Sequence, residues 1–216
     1  MPLPLADGFE TSARLACGLA TRPEVTARWT DESACAGMSI GGLANHLVAQ
    51  VDLAVGLLSA PPSELAPIPV AEHYRRAAWA HSALDEEANT TIRESADAEA
   101  GSGSDALAAR AAAGLEALPD ALAAADGREP DSVLLPWQGW ALTAHDLTVT
   151  RLMEMMVHAD DLAASTGVET PQFPGDVVAA VLALLAVVAA DRHGQTALVR
   201  ALARPQRAPG QVSAFG

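Results

Sequence analysis

Nowhere in the chain does hydrophobicity alternate with a period of two over a useful length. Apolar residues instead recur at every third or fourth position through several long stretches. That spacing places them on one face of an α-helix and excludes a sheet with one wet side. Composition agrees. Half the residues are hydrophobic, aromatics make up only 4 %, and alanine and leucine dominate. Small side chains of high helix propensity favour helices packed closely on one another. The expected fold is therefore all-α, a bundle of four long helices with additional short ones.

The first amphipathic helix is expected over residues 9–21, with the next segment running into Trp29. "TDESACAGMS" reads as a loop. Ser39 has the place of an N-cap for a helix over 40–60, which Pro61 and Pro62 end. A long helix is expected from about 71 to 96, carrying Tyr74, Ala78, His81 and Leu84 at helical spacing. Residues 106–125 read as helical on both sides of Pro119, with a kink or a new start at the proline. "DGREPDSVLLPWQGWAL" reads as a loop with two tryptophans, Trp137 and Trp140. Thr143 and Asp146 resemble a capping box at the start of a helix that Gly167 ends. A last, very apolar helix is expected over about 176–192. The chain is read as one domain, 1–216, with its core over about 9–193 and an irregular tail from 194 onward.

The net charge is −14, and all 13 basic residues are arginines. An acidic surface repels phosphate backbones, so nucleic acid is excluded as a partner, and the plain role of the charge is solubility. The opening "MPLPLADGFE" lacks a basic and an apolar region, so no signal peptide is expected. The apolar run "VVAAVLALLAVVAA" at 177–190 is too short to span a bilayer. A cytoplasmic protein with no membrane partner and two free thiols, Cys17 and Cys35, is the expectation.

Against this background "RLMEMMVHADDL" at 151–162 stands out, because ionisable groups interrupt a helix otherwise suited to a core. At about 100° per residue, Leu147, Arg151, Glu154, His158, Asp161 and Ser165 share one narrow face, whereas His145 lies about 180° from Glu154. A carboxylate and an imidazole four residues apart can hold one metal ion, or simply form a solvated pair or a hydrogen bond. A third ligand must come from elsewhere. His46 is the best placed, in a helix whose Leu43, Leu47, Gln50, Leu53 and Leu57 surround it. A histidine in an apolar stripe needs a partner, either a hydrogen bond or a metal. Arg151 reads as a salt-bridge partner of Glu154 or Asp161, and Met153, Met155 and Met156 as core filler. Trp137 and Trp140 read as packing residues or as the walls of a cosubstrate pocket.

"MSIGGLANHLVAQ", followed about a hundred residues later by "RLMEMMVHADDLAAS", resembles the mycothiol-dependent maleylpyruvate isomerase family of the DinB-like superfamily. Trp29, Ser33 and the closing "HGQTALVRALARPQRAP" fit the same pattern, and the likeness runs over roughly residues 9–207. It implies a DinB-like four-helix bundle holding a divalent metal, usually zinc, on His46, Glu154 and His158. It implies that Asp161 supports the metal histidine. Arg151 would bind an anionic group of the acceptor or neutralise Glu154 and Asp161. The isomerase itself carries a second, small α/β domain, whereas only about 25 residues follow the last long helix here. The resemblance is thus to shorter relatives that look like general mycothiol-dependent transferases. The implied function is metal-dependent S-transfer from mycothiol to a small electrophile, with isomerisation of a maleylpyruvate-like substrate or a non-catalytic metal-binding bundle as alternatives. Three ligands leave a tetrahedral metal one open position, and no internal nucleophile is expected at the site, so the thiol is an external cosubstrate. A lysine-free chain suits an actinobacterial source, and a homodimer is left open.

Overall fold

The computed structural model of the chain describes residues 3–81 and 86–215. It is the expected all-α bundle. The long helices are α1 (Ala6–Ala20), α3 (Ile40–Ser59), α6 (Ser104–Ala125), α7 (Ala144–Thr166) and α8 (Gly175–His193). Shorter ones are α2 (Pro23–Thr26), α4 (Val70–Arg76), α5 (Glu87–Ala100) and α9 (Gln195–Ala203).

α3 is the hub and packs against α1, α5, α6 and α7. Its sequence explains why. Leu43, Leu47, Val48, Val51 and Leu58 are fully buried, and each such side chain contributes about 1.5–3 kcal/mol of transfer free energy. Its start is fixed as the sequence suggests: the Ser39 hydroxyl accepts the Gly42 N–H at 2.9 Å. The glycine pair just inside is a requirement of packing. A Cβ on Gly41 would lie 2.5 Å from the Trp29 indole, and one on Gly42 2.1 Å from Asp97 Oδ1. α3 is also long and apolar enough to cross a bilayer by length and composition, but most of it is buried inside the bundle.

α7 keeps its predicted ends. Thr143 accepts the Asp146 N–H at 3.0 Å, and Gly167 closes the helix in the left-handed conformation at φ 73°. Met153 and Met155 are buried, as core filler should be.

Four expectations are corrected. The single helix over 71–96 is α4, a 3-10 turn at Ala78–Ala80 and α5. α4 packs on α8 while α5 packs on α3, and one straight rod cannot serve both partners. Leu84 lies outside the described residues. Of the kink or new start expected at Pro119, the new start is overturned: α6 is one helix through the proline. The double-tryptophan loop contains a hairpin, β1 (Val133–Leu135) paired antiparallel with β2 (Trp140–Leu142), Leu135 opposite Trp140. Three residues per strand are too few to show an alternating pattern. The stretch from 194 opens with α9, and Phe215 packs against Tyr74 and Trp79.

Candidate metal centre

The predicted face of α7 turns toward α3, and it brings His46, Glu154 and His158 together. Glu154 Oε2 lies 3.2 Å from His158 Nε2 and 3.5 Å from His46 Nε2. The two imidazole rings meet edge to face, centroids 4.8 Å apart at 85°. One ligand atom from each of the three falls within 4.8 Å of the others. The set is two nitrogens and one carboxylate oxygen, the donors a zinc ion takes, and its parts come from helices whose caps and cores fix them.

Burial alone would push the Glu154 carboxyl up. Hydrogen bonds from His158 and His46, with the charges of His158 and Arg151, outweigh that and hold it well below the usual carboxylate range. Burial likewise works against charge on His158, but bonding to Asp161, Cys35 and Glu154 raises it well above the usual imidazole range. Without an ion, these contacts favour a protonated His158 beside an ionised Glu154. Asp161 stands where the sequence placed it, behind His158, with Oδ2 3.0 Å from Nδ1. Ser165, at the end of the same stripe, accepts the Ala34 N–H at 2.8 Å and so anchors the loop that leads into α3.

Arg151 departs from its expected pairing. Among the described residues it makes no ion pair with Glu154 or Asp161; Nη1 donates to Gln50 Oε1 at 2.6 Å and Nε to Thr150 Oγ1 at 3.2 Å. Its charge is left facing the cavity. That cavity, of about 940 Å³, is lined by His46, Glu154, His158, Arg151, Trp137 and Gln50 among others. Trp137 is 57 % exposed at the rim, and Trp140 instead points its indole Nε1 at His73 Nδ1, 3.1 Å away. His145 does not join the triad; its Nδ1 is buried without a hydrogen-bond partner among the described residues.

Two cavity residues escape the sequence pattern. His73, placed outside the motif by spacing, lines the cavity and is only 4 % exposed. Cys35 corrects the expectation that no nucleophile of the chain reaches the site. Its thiol donates to Asp161 Oδ2 at 3.2 Å and sits 3.9 Å from His158 Nδ1. The one available signal for Cys35 was its place in the loop feeding the His46 helix. For His73 the partner, Trp140, is 67 residues away and no local pattern announces it.

The family profile described as the mycothiol maleylpyruvate isomerase N-terminal domain matches residues 10–163, well over half of the chain. No curated protein and no solved structure matches it. The matched region spans both halves of the triad, from the α3 histidine to the α7 Glu and His. The chain belongs to the mycothiol maleylpyruvate isomerase N-terminal domain family.

Proposed function

We propose that the protein is a metal-dependent S-transferase that joins mycothiol to a small electrophile. The observation that carries this reading is the convergence of His46, Glu154 and His158 on the wall of one large cavity. The donor set fits a divalent ion, zinc first, and the ionised Glu154 supplies a negative charge the ion needs. When bound, such an ion offers a Lewis-acid position at which a thiol is ionised at neutral pH. The rest is the work of the chain. His46 and His158 would hold the ion from two helices, and Asp161, 3.0 Å from Nδ1 of His158, would keep the proton on that nitrogen so that Nε2, once deprotonated, could serve as the ligand. Arg151, which makes no ion pair with a carboxylate among the described residues, would attract the anionic groups of thiol or acceptor. The cavity is large enough for a thiol and an acceptor together. Trp137 at the rim shields the bound pair from water.

Isomerisation of a maleylpyruvate-like substrate is the second reading, favoured by the family's description. It shares the thiol attack and differs in expelling the thiol again. Zinc-loaded protein incubated with mycothiol and a panel of electrophiles tests both. A thioether product identified by mass spectrometry supports transfer, and a cis–trans change with thiol recovered supports isomerisation. Metal uptake with neither outcome leaves a metal-binding bundle and defeats the proposal. The working location expected for such an enzyme is the cytoplasm, with no nucleic-acid or membrane partner.

A further inference from the structure

A second cluster of ligand types meets the other nitrogen of the His158 ring. Cys35, His158 and Asp161 bring one sulfur, one nitrogen and one carboxylate oxygen within 4.8 Å of one another. Cys35 Sγ is 3.2 Å from Asp161 Oδ2 and 3.9 Å from His158 Nδ1, and Nδ1 is 3.0 Å from the same oxygen. At ordinary zinc bond lengths, a tetrahedral ion spaces such donors about 3.4–3.6 Å apart. Shifts of about 0.4 Å therefore turn this hydrogen-bonded triangle into one face of a coordination sphere. The loop holds Cys35 ready for it. Ser33 Oγ accepts the Cys35 N–H at 3.2 Å, and the Met38 N–H donates to the Cys35 carbonyl at 3.0 Å. The Ala34 N–H donates to Ser165 Oγ at 2.8 Å, and that hydroxyl donates to the Asp161 carbonyl at 2.6 Å. The thiol is thus tied to the same turns of α7 that carry Asp161. Cys35 and His158 both line the large cavity, so an ion reaches them from there.

We propose that Cys35 Sγ, His158 Nδ1 and Asp161 Oδ2 form a second cation position, selective for thiophilic divalent ions such as cadmium, that competes with the triad for His158. Zinc is well served by two nitrogens and an oxygen, whereas a softer ion gains more from a thiolate. On binding, the S–H bond breaks, its proton leaves to solvent and the sulfur electron pair goes to the ion. A neutral imidazole has one ring lone pair to give. Given through Nδ1, it is lost to Nε2, so the triad is reduced to His46 and Glu154 and lets its ion go. The release of the triad ion rests on the metal-dependent reading above; the Cys35 position itself does not. Cys17 offers no rival sulfur, being 2 % exposed and outside every such ligand group among the described residues.

The test titrates untagged, reduced protein with cadmium alone, no thiol added, and reads the ultraviolet sulfur-to-cadmium charge-transfer band. Wild type should develop the band and saturate at about one cadmium per chain. His46→Ala should keep it, His158→Ala should need more cadmium to reach it, and Cys35→Ser should lose it. If Cys35→Ser does not fold, wild type alkylated at Cys35 with iodoacetamide supplies the same comparison. In zinc-loaded wild type, elemental analysis after desalting should show zinc leaving as the band grows. Zinc-loaded Cys35→Ser should keep its zinc at the same cadmium concentration. No band in wild type, a band that survives the loss of the Cys35 thiol, an unchanged titration in His158→Ala, or zinc retained while the band forms overturns the proposal. Protein that takes up no zinc at all defeats the metal-dependent transferase reading separately, and the cadmium band then decides the Cys35 position by itself.

Discussion

His158 and Asp161 stand three residues apart on α7, with Nδ1 of one 3.0 Å from Oδ2 of the other. That contact fixes the ring's rotation and decides which nitrogen keeps a lone pair for a cation. Removing it leaves every proposed ligand in place but lets the ring turn and change tautomer. Asp161→Ala should therefore weaken zinc affinity by ~10–100-fold without unfolding the bundle. Competition with a coloured chelator measures the affinity, and circular dichroism checks the fold. An unchanged affinity would mean that Asp161 serves only Cys35 and the loop.

The register of α7 gives a sharper contrast. His158 points toward Glu154 and His46, while the Nδ1 of His145 is buried apart from them. Elemental analysis of untagged protein should find about one divalent ion per chain in wild type. His145→Ala should keep it and His158→Ala should lose most of it. The reverse pattern would show that the metal, if present, sits on the other face of the helix.

The perturbed histidines also predict a stability profile for protein kept in chelator. Folding holds His73 down to about 4, against about 6.5 in an unfolded chain, so below about 6.5 the unfolded state takes up a proton the folded one refuses. Stability falls as pH drops, by about 3 kcal/mol across that window. His158 works in the opposite sense. Its raised value means that the stabilisation is complete below about 6.5 and is lost as pH rises through the folded value. Glu154, held low, keeps its contribution from about 4.3 upward and loses it only in stronger acid. Melting temperature without metal should therefore peak near pH ~6.5. The gain on adding zinc should grow with pH, because the ion has to displace the His158 proton. A melting temperature in chelator that climbs steadily through neutral pH would contradict this assignment.

The pattern of what could be read from sequence follows from the range of each signal. Helical spacing is local, so the shared face of Arg151, Glu154, His158 and Asp161 was legible to within a few tens of degrees. Ser39, Thr143 and Gly167 announced their helix ends because capping is chemistry within four residues. The break after α4 was not legible, since it reflects two docking partners and not a weak helix former. Arg151 was assigned to a carboxylate because charge pairs are the default. The competing partner, Gln50, lies 101 residues away and pairs only when α3 and α7 pack. Cys35 and His73 were missed for the same reason.

Cys35 decides whether the nucleophile is internal. Cys17 is 2 % exposed, and burial pushes its thiol up to about 12, with Asp52 adding and Arg110 opposing. Cys35 is half-buried on the cavity wall. Iodoacetamide should therefore label one thiol in the native chain, at Cys35, and two after denaturation. The label removes the S–H that donates to Asp161 Oδ2 and adds bulk beside His158, so labelled protein should bind zinc more weakly. Cys35→Ser keeps a donor of similar reach. It should retain zinc and should still need added mycothiol to consume an electrophile. The opposite result is just as clear to read. If wild type forms a lasting adduct on Cys35 without added thiol and Cys35→Ser is dead with mycothiol present, the chain supplies its own nucleophile and the external thiol is not the attacking group.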